Sequence, residues 1–355
     1  MPDSGPAGTG MAFDEKYTVT ASPHIASDIT TGRVMRDVLI ALIPAVLAGA
    51  WFFGARTLLV CAVTVAACVA AEFFSRKIMR RENTTGDLSA AVTGLLLALN
   101  LPPSIELWMA VVGGAAAIVI GKQIFGGIGQ NFMNPALVGR VVMLTSWGAS
   151  MTRWSPAVSG ALFGAMPTGG GAVDAVSAAT PLALAKALFT GGGLTEGLSQ
   201  ATLALPSYSA LFLGGVAGCI GETSALAVLL GGLYLLCRRV ITWHIPAAFL
   251  GSAALLTWAF GGRGTLFGGD PLYQILSGGL FLGAFFMATD YSTSPMTKKG
   301  KLIMGLGCGV LTAVIRLFTT SPEGVSYSIL IMNVVVPLID RYTIPTVFGG
   351  GKPHE

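Results

Sequence analysis

Charge is what this sequence has least of. Asp, Glu, Lys and Arg make up 11% of 355 residues, against about 25% in soluble globular domains. That scarcity excludes an ordinary water-facing surface. The 21 basic and 17 acidic side chains leave a net charge of +4, spread thinly. No basic cluster is interleaved with aromatics, so no nucleic-acid partner is expected. Histidine is nearly absent: His24, His244 and His354 lie far apart and form no metal motif. Five cysteines, Cys61, Cys68, Cys219, Cys237 and Cys308, sit in or at the ends of apolar segments. Their spacings match no zinc or iron–sulfur motif within the chain. Membrane packing is the reading for most of them, and a cluster shared with another chain is the alternative. No GxGxxG follows a predicted strand, and phosphate-loop, zinc-protease and serine-hydrolase motifs are missing. No basic start leads directly into an apolar run, so no cleavable signal peptide is expected.

What is present is apolar and small. The hydrophobic class accounts for 53% of residues, and there are 48 glycines. Glycine is enriched in membrane helices, where it lets backbones approach closely. The composition therefore predicts an all-α, polytopic membrane helix bundle. A span takes roughly 20 helical residues. The expected spans are about 37–53, 56–74, 89–101, 107–125, 136–147, 208–236, 241–260, 272–289, 302–319 and 325–340, about ten in all. Segments 89–101 and 136–147 are short, and GCIGET interrupts 208–236.

Arg76, Lys77, Arg80 and Arg81 mark a cytoplasmic segment by the positive-inside rule. Counting spans from there places residues 148–207 outside the cytoplasm. Arg238, Arg239, Lys298, Lys299, Lys301 and Arg341 return inside. The expected organisation is a cytoplasmic segment at 1–32, a first membrane group at 33–147, an extracytoplasmic loop region at 148–207, a second membrane group at 208–341 and a cytoplasmic tail at 342–355. Most tryptophans fall near span ends, as interfacial anchors do.

An internal echo joins the halves. GDLSAAVTGLLLAL (86–99) resembles GETSALAVLLGGLYL (221–235), and residues 113–135 and 278–300 both pass from Gly-Gly through an apolar run to a polar, Pro-containing end. Short, Gly-broken helices in an inverted repeat point to a transport pathway; chance likeness among Gly-rich helices is the competing account.

Several polar residues invite a role. Glu72, Asp87, Glu222, Asp290 and Asp340 lie in or beside spans, where ionisable groups are costly and often functional. Asp87 and Glu222 hold equivalent places in the echo. Each can cap a helix start or line an ion path. Asp290 and Asp340 are read as interfacial, and Lys122 as snorkelling to head groups. The run GKQIFGGIGQNFMNPALVGR suggests a non-helical turn at membrane depth, an environment for an ion. Thr180, in DAVSAATPLALA, is by its chemistry alone an ordinary backbone-capping hydroxyl.

The stretches TTGDLSAAVTGLLLALNLPP, GKQIFGGIGQNFMNPALVGR, DAVSAATPLA, IGETSALAVLLGG, FFMATDYSTSP and ILIMNVVVPLID carry a family resemblance from 22 to 340. The chain resembles the D subunits of Rnf electron-transport complexes and the similar B subunits of the sodium-pumping NADH:quinone reductases. The resemblance implies FMN joined through its phosphate to the last threonine of an Asp-x-x-Ser/Thr-Gly-Ala-Thr pattern. Here that threonine is Thr180, with Asp174, Ser177, Ala178 and Ala179 as the surrounding recognition motif. Ala178 stands where the family has glycine. The resemblance further implies a flavin transferase for maturation, the A, B, C, E and G subunits as partners, membrane lipids, translocation of Na+ or H+, and a bacterial inner-membrane location. It also allows a second, noncovalent flavin. The implied activity is that of one component in an ion-translocating ferredoxin:NAD+ oxidoreductase, with no catalytic residue and no metal site assigned to this chain. The B-type component of a quinone reductase is the alternative, although its N-terminal extension is usually longer. A non-redox secondary transporter and a structural scaffold are readings of other classes.

Overall fold

A computed structural model describes residues 30–82, 84–163, 179–190, 205–262, 266–319 and 323–344. Among them there is helix and no strand. In chain order the helices are α1 (Thr31–Phe53), α2 (Ala55–Ile78), α3 (Ser89–Leu99), α4 (Leu107–Ile118), α5 (Pro135–Ser146), α6 (Gly148–Met151) and α7 (Pro181–Thr190). Then follow α8 (Tyr208–Leu213), α9 (Ala225–Cys237), α10 (His244–Phe260), α11 (Pro271–Leu276), α12 (Leu280–Leu282), α13 (Lys298–Phe318) and α14 (Val325–Thr343).

Each of the ten expected spans meets helix, but they are not alike. Helices α1, α2, α13 and α14 are long and apolar enough to cross a membrane. Five shorter apolar helices, α3, α4 with its continuation to Gln123, α5, α9 and α10, fill the space between them. The span expected at 208–236 divides into α8, a 3₁₀ turn at Ile220–Glu222 and α9. The continuous span expected at 272–289 is also divided. Gly278, at φ +70°, separates α11 from α12, a backbone state open to glycine at little cost. The protein is an all-α polytopic membrane protein.

Local chemistry sets the helix starts. Asn134 accepts a hydrogen bond from the Ala136 amide at 3.0 Å, and Pro135 takes the first position of α5. Asp270 does the same for Tyr273 N at 3.0 Å ahead of Pro271 and α11. A polar cap followed by proline satisfies an orphan amide and fixes the entry φ. Helix α3 is buried on nearly every side, so its ends must be satisfied by protein rather than lipid.

The echo between the halves is structural. A 3₁₀ turn at Thr85–Asp87 precedes α3, and one at Ile220–Glu222 precedes α9. Helix α4 widens into a π turn at Val119–Gln123, and α12 into one at Gly283–Met287. Irregular chain then leads into α5 and α13 respectively. The two units run in opposite directions. The α9 unit starts where α3 ends, with Ile220 N donating to Leu101 O at 3.1 Å. It returns to the start of α1, where Arg238 pairs with Asp37 at 3.2 Å. Small residues allow this packing: a methyl on Gly231 of α9 would collide with the Ala41 carbonyl of α1, and one on Gly139 of α5 would stand 2.9 Å from the Gly113 oxygen of α4.

Candidate functional site

Thr180 is the N-cap of α7. Its hydroxyl oxygen accepts a hydrogen bond from the Ala183 amide at 3.2 Å, and its carbonyl accepts from Leu184 N at 3.0 Å. Pro181 fills the first helical position, the same signature that opens α5 and α11. The residue is 5% exposed. It lines a crevice of about 10 Å³ together with Pro181, Val216, Gly278, Glu222 and Glu323. That is room for about one water. The crevice therefore joins two residues that lie far apart in the sequence, Thr180 and Glu222. Ala179 is exposed. Asp174, Ser177 and Ala178 lie outside the described residues.

Behind the crevice sits a buried ionic cluster. Arg140 of α5, 5% exposed, pairs with Glu323, just ahead of α14. Its second terminal nitrogen donates to the Asn100 side-chain oxygen at 2.5 Å, where α3 ends. Glu222 lies 3.9 Å from the guanidinium, and the Cys219 sulfur 3.7 Å. Glu222 also accepts from its own turn, from Cys219 N at 3.5 Å. It is thus both a helix-start cap and a counter-charge. One guanidinium between two carboxylates is the arrangement that lets buried charge survive. Arg316 of α13 stands nearby and donates to the carbonyls of Gln274 at 2.6 Å and Ser277 at 3.2 Å.

A second cluster occupies the opposite end of the bundle. Lys122, in the first π turn, is 2% exposed. Its ammonium lies 2.7 Å from Glu72 of α2 and donates to Ser89 Oγ at 2.5 Å. The snorkelling expectation for Lys122 is therefore wrong: its partner is a carboxylate inside the protein, not a head group. Gln123 and Thr84 donate to the same Glu72 oxygen at 2.9 and 3.2 Å. Asp87 accepts from the Ser89 amide at 2.8 Å and from its hydroxyl at 2.5 Å, bonds at the start of α3. Ser89 and Lys122 border a cavity of about 80 Å³ that also touches Asn131, Asn134, Thr289 and Asp290. Both π turns reach this cavity, through Lys122 and through Phe285 and Phe286. Asp290 accepts from the hydroxyls of Ser292 and Thr293 at 3.1 and 3.2 Å, and Asp340 accepts from Met296 N at 3.1 Å, tying the end of α14 to the chain ahead of α13.

The residues missed by sequence reasoning are Arg140, Glu323 and Arg316. The rule that intramembrane charge marks function passes over the two arginines when it is read on acids alone. Read on bases, it selects Arg140, the last residue of GKQIFGGIGQNFMNPALVGR, and Arg316. All five cysteines are free, and only Cys237 is exposed. Cys219, Glu222 and Glu323 bring ligand atoms within 4.8 Å of one another, but Arg140 already supplies a cation there.

Comparison with known proteins gives this geometry a family. A model of the NQR2, RnfD, RnfE family matches residues 18–349. The D subunit of the proton-translocating ferredoxin:NAD(+) oxidoreductase complex of Clostridium ljungdahlii is 44% identical over 334 residues, covering 94% of this chain and 96% of that protein. The D subunit of the Na(+)-translocating ferredoxin:NAD(+) oxidoreductase complex of Acetobacterium woodii is 45% identical over 337 residues, with the same coverage of 94% and 96%. The D subunit of the ion-translocating oxidoreductase complex of Salmonella arizonae is 39% identical over 360 residues, covering 95% and 99%. With helices, repeat and buried charge pairs spread over the matched length, the chain belongs to the NQR2, RnfD, RnfE family.

Proposed function

We propose that this chain is the flavin-carrying membrane component of an ion-translocating ferredoxin:NAD+ oxidoreductase, with FMN esterified to Thr180 through its phosphate. Ferredoxin and NAD+ belong to the names of the relatives, and the A, B, C, E and G subunits with a flavin transferase complete the reading. The observation that carries it is Thr180 as the N-cap of α7, beside exposed Ala179, with its hydroxyl accepting from the Ala183 amide at 3.2 Å. A phosphate at Thr180 meets the amide end of α7, where the helix dipole favours an anion. FMN supplies one- and two-electron chemistry that no side chain here can perform. The chain's own part is to hold the ester at a helix start and to keep two carboxylates and Arg140 beside it.

Thr180 lies at the end of the bundle opposite the Lys122 cluster. Arg76, Lys77, Arg238, Arg239, Lys298, Lys299 and Lys301 gather at the other end, with the start of α1. By the positive-inside rule that end is cytoplasmic and Thr180 is outside. The transported ion is H+ in the name of one relative and Na+ in that of another at nearly equal identity, so likeness does not choose between them.

The test has two parts. The mature chain, produced with its transferase, is digested and weighed. FMN on the peptide holding Thr180 supports the reading, and an unmodified native peptide rejects it. The intact complex in vesicles is then assayed for ferredoxin-dependent NAD+ reduction with uptake of labelled sodium or protons.

A further inference from the structure

The Thr180 crevice of about 10 Å³ cannot admit a flavin ring, since pockets for ligands of that size are about 300 Å³ or more. A ring tethered at Thr180 must lie outside it, on a surface next to the first turn of α7. That turn is held by Tyr273 of α11, which is 6% exposed and donates its hydroxyl to Pro181 O at 3.4 Å. The Tyr273 ring packs edge-on against Tyr208 of α8, with centroids 6.3 Å apart and planes at 74°. Tyr208 is 47% exposed. Thr180, Pro181, Tyr273 and Tyr208 thus form a continuous line from the buried hydroxyl to open surface.

We propose that Tyr208 is the platform on which the isoalloxazine ring rests. This assignment depends on the covalent-FMN reading above. Tyr208 is a positioned residue. Its hydroxyl donates to the Asp270 carboxylate, and the same side chain of Asp270 caps α11 by accepting from Tyr273 N. A tyrosine that only anchors a membrane edge turns its hydroxyl to water or head groups, whereas this one is committed to a carboxylate. The constraint fixes an electron-rich ring with nearly half its surface open. Offset stacking against a flat, electron-accepting ring is the contact such a surface makes best.

The experiment uses the intact complex made with its transferase, in wild-type, Tyr208→Phe and Tyr208→Trp forms. The readout is the fluorescence lifetime of the covalent flavin, with the mass of the Thr180 peptide measured in each form. A phenol or indole in contact gives one electron to the excited flavin and takes it back, shortening the lifetime without net reaction. A phenyl ring does not. The lifetime is expected to lengthen severalfold in Tyr208→Phe and to shorten again in Tyr208→Trp, with flavin attached throughout. An unchanged lifetime in a flavinylated Tyr208→Phe complex overturns the assignment, as does a Tyr208→Trp lifetime equal to that of Tyr208→Phe. Absence of flavin from the wild-type peptide is a different failure: it removes the covalent-FMN reading beneath the proposal. Phe keeps the ring at a half-exposed position, so assembly is expected to survive.

Discussion

Replacing Arg140 by glutamine tests the buried cluster most directly. The guanidinium stands 3.9 Å from Glu222 and closer to Glu323. At an effective dielectric of about 20, unit charges about 4 Å apart attract by about 4 kcal/mol. Burying the ions cancels much of that gain, so the intact pairs add little net stability. Removing one partner is another matter. Glu222 and Glu323 would then face each other with only the more distant Arg316 guanidinium as counter-charge, and breaking a buried pair costs about 3–5 kcal/mol. That corresponds to a factor of roughly a hundred to several thousand in the folding equilibrium. Glu323→Gln alone should cost less, because Arg140 keeps Glu222 and the Asn100 oxygen at 2.5 Å. Adding Glu323→Gln to Arg140→Gln should recover part of the loss, since the repulsion between the two carboxylates goes while Glu222 keeps its backbone donor, Cys219 N. The assay is a double-mutant cycle on the purified complex, read as unfolding in a fixed detergent. The reasoning fails if Arg140→Gln is as stable as wild type, or if the double variant is no better than the single one.

Further outcomes follow from the same contacts. Thr180→Val should abolish flavin attachment and also uncap α7, a cost of about 1 kcal/mol. Thr180→Ser should keep the cap and accept flavin, with mass spectrometry and protease cleavage near α7 as readouts. Lys122→Met should destabilise by about 3–5 kcal/mol, because Glu72, fully buried, loses its counter-charge; a Glu72→Gln partner mutation should restore most of it in thermal unfolding. Asp87→Asn should cost under about 1 kcal/mol, because asparagine still accepts from Ser89, and should leave ion transport in vesicles unchanged. Glu222→Gln should reduce that transport while FMN stays attached, and unchanged transport would reject its role.

Much of this fold was legible because its signals are local. Each expected apolar run meets helix, and the pairs Asn134-Pro135, Thr180-Pro181 and Asp270-Pro271 each open a helix in the structure. What stayed hidden was pairing at a distance. Lys122 looked like a lone cation at a span end, and its carboxylate lies 50 residues upstream. Arg140 meets a carboxylate 183 residues away, and no periodicity along α5 records it. The division of 272–289 was also hidden, because Gly-Gly inside a membrane segment reads equally as close packing or as a break.

The repeat shows how far sequence equivalence carries. Asp87 and Glu222 each end a 3₁₀ turn ahead of a short helix, so the match between them holds for the backbone. Their electrostatic tasks differ. In the first half the work is split: Asp87 bonds Ser89, while Glu72 takes the charge of Lys122. In the second half Glu222 does both, accepting from Cys219 N and facing Arg140. A residue that only caps can lose its charge at little cost, because an amide oxygen accepts as well. A residue that balances a buried guanidinium cannot. The half that places its cap and its counter-charge on one side chain is the half whose Glu222 shares a crevice with Thr180, so any change of charge at that hydroxyl acts on a carboxylate already bound into the helix start.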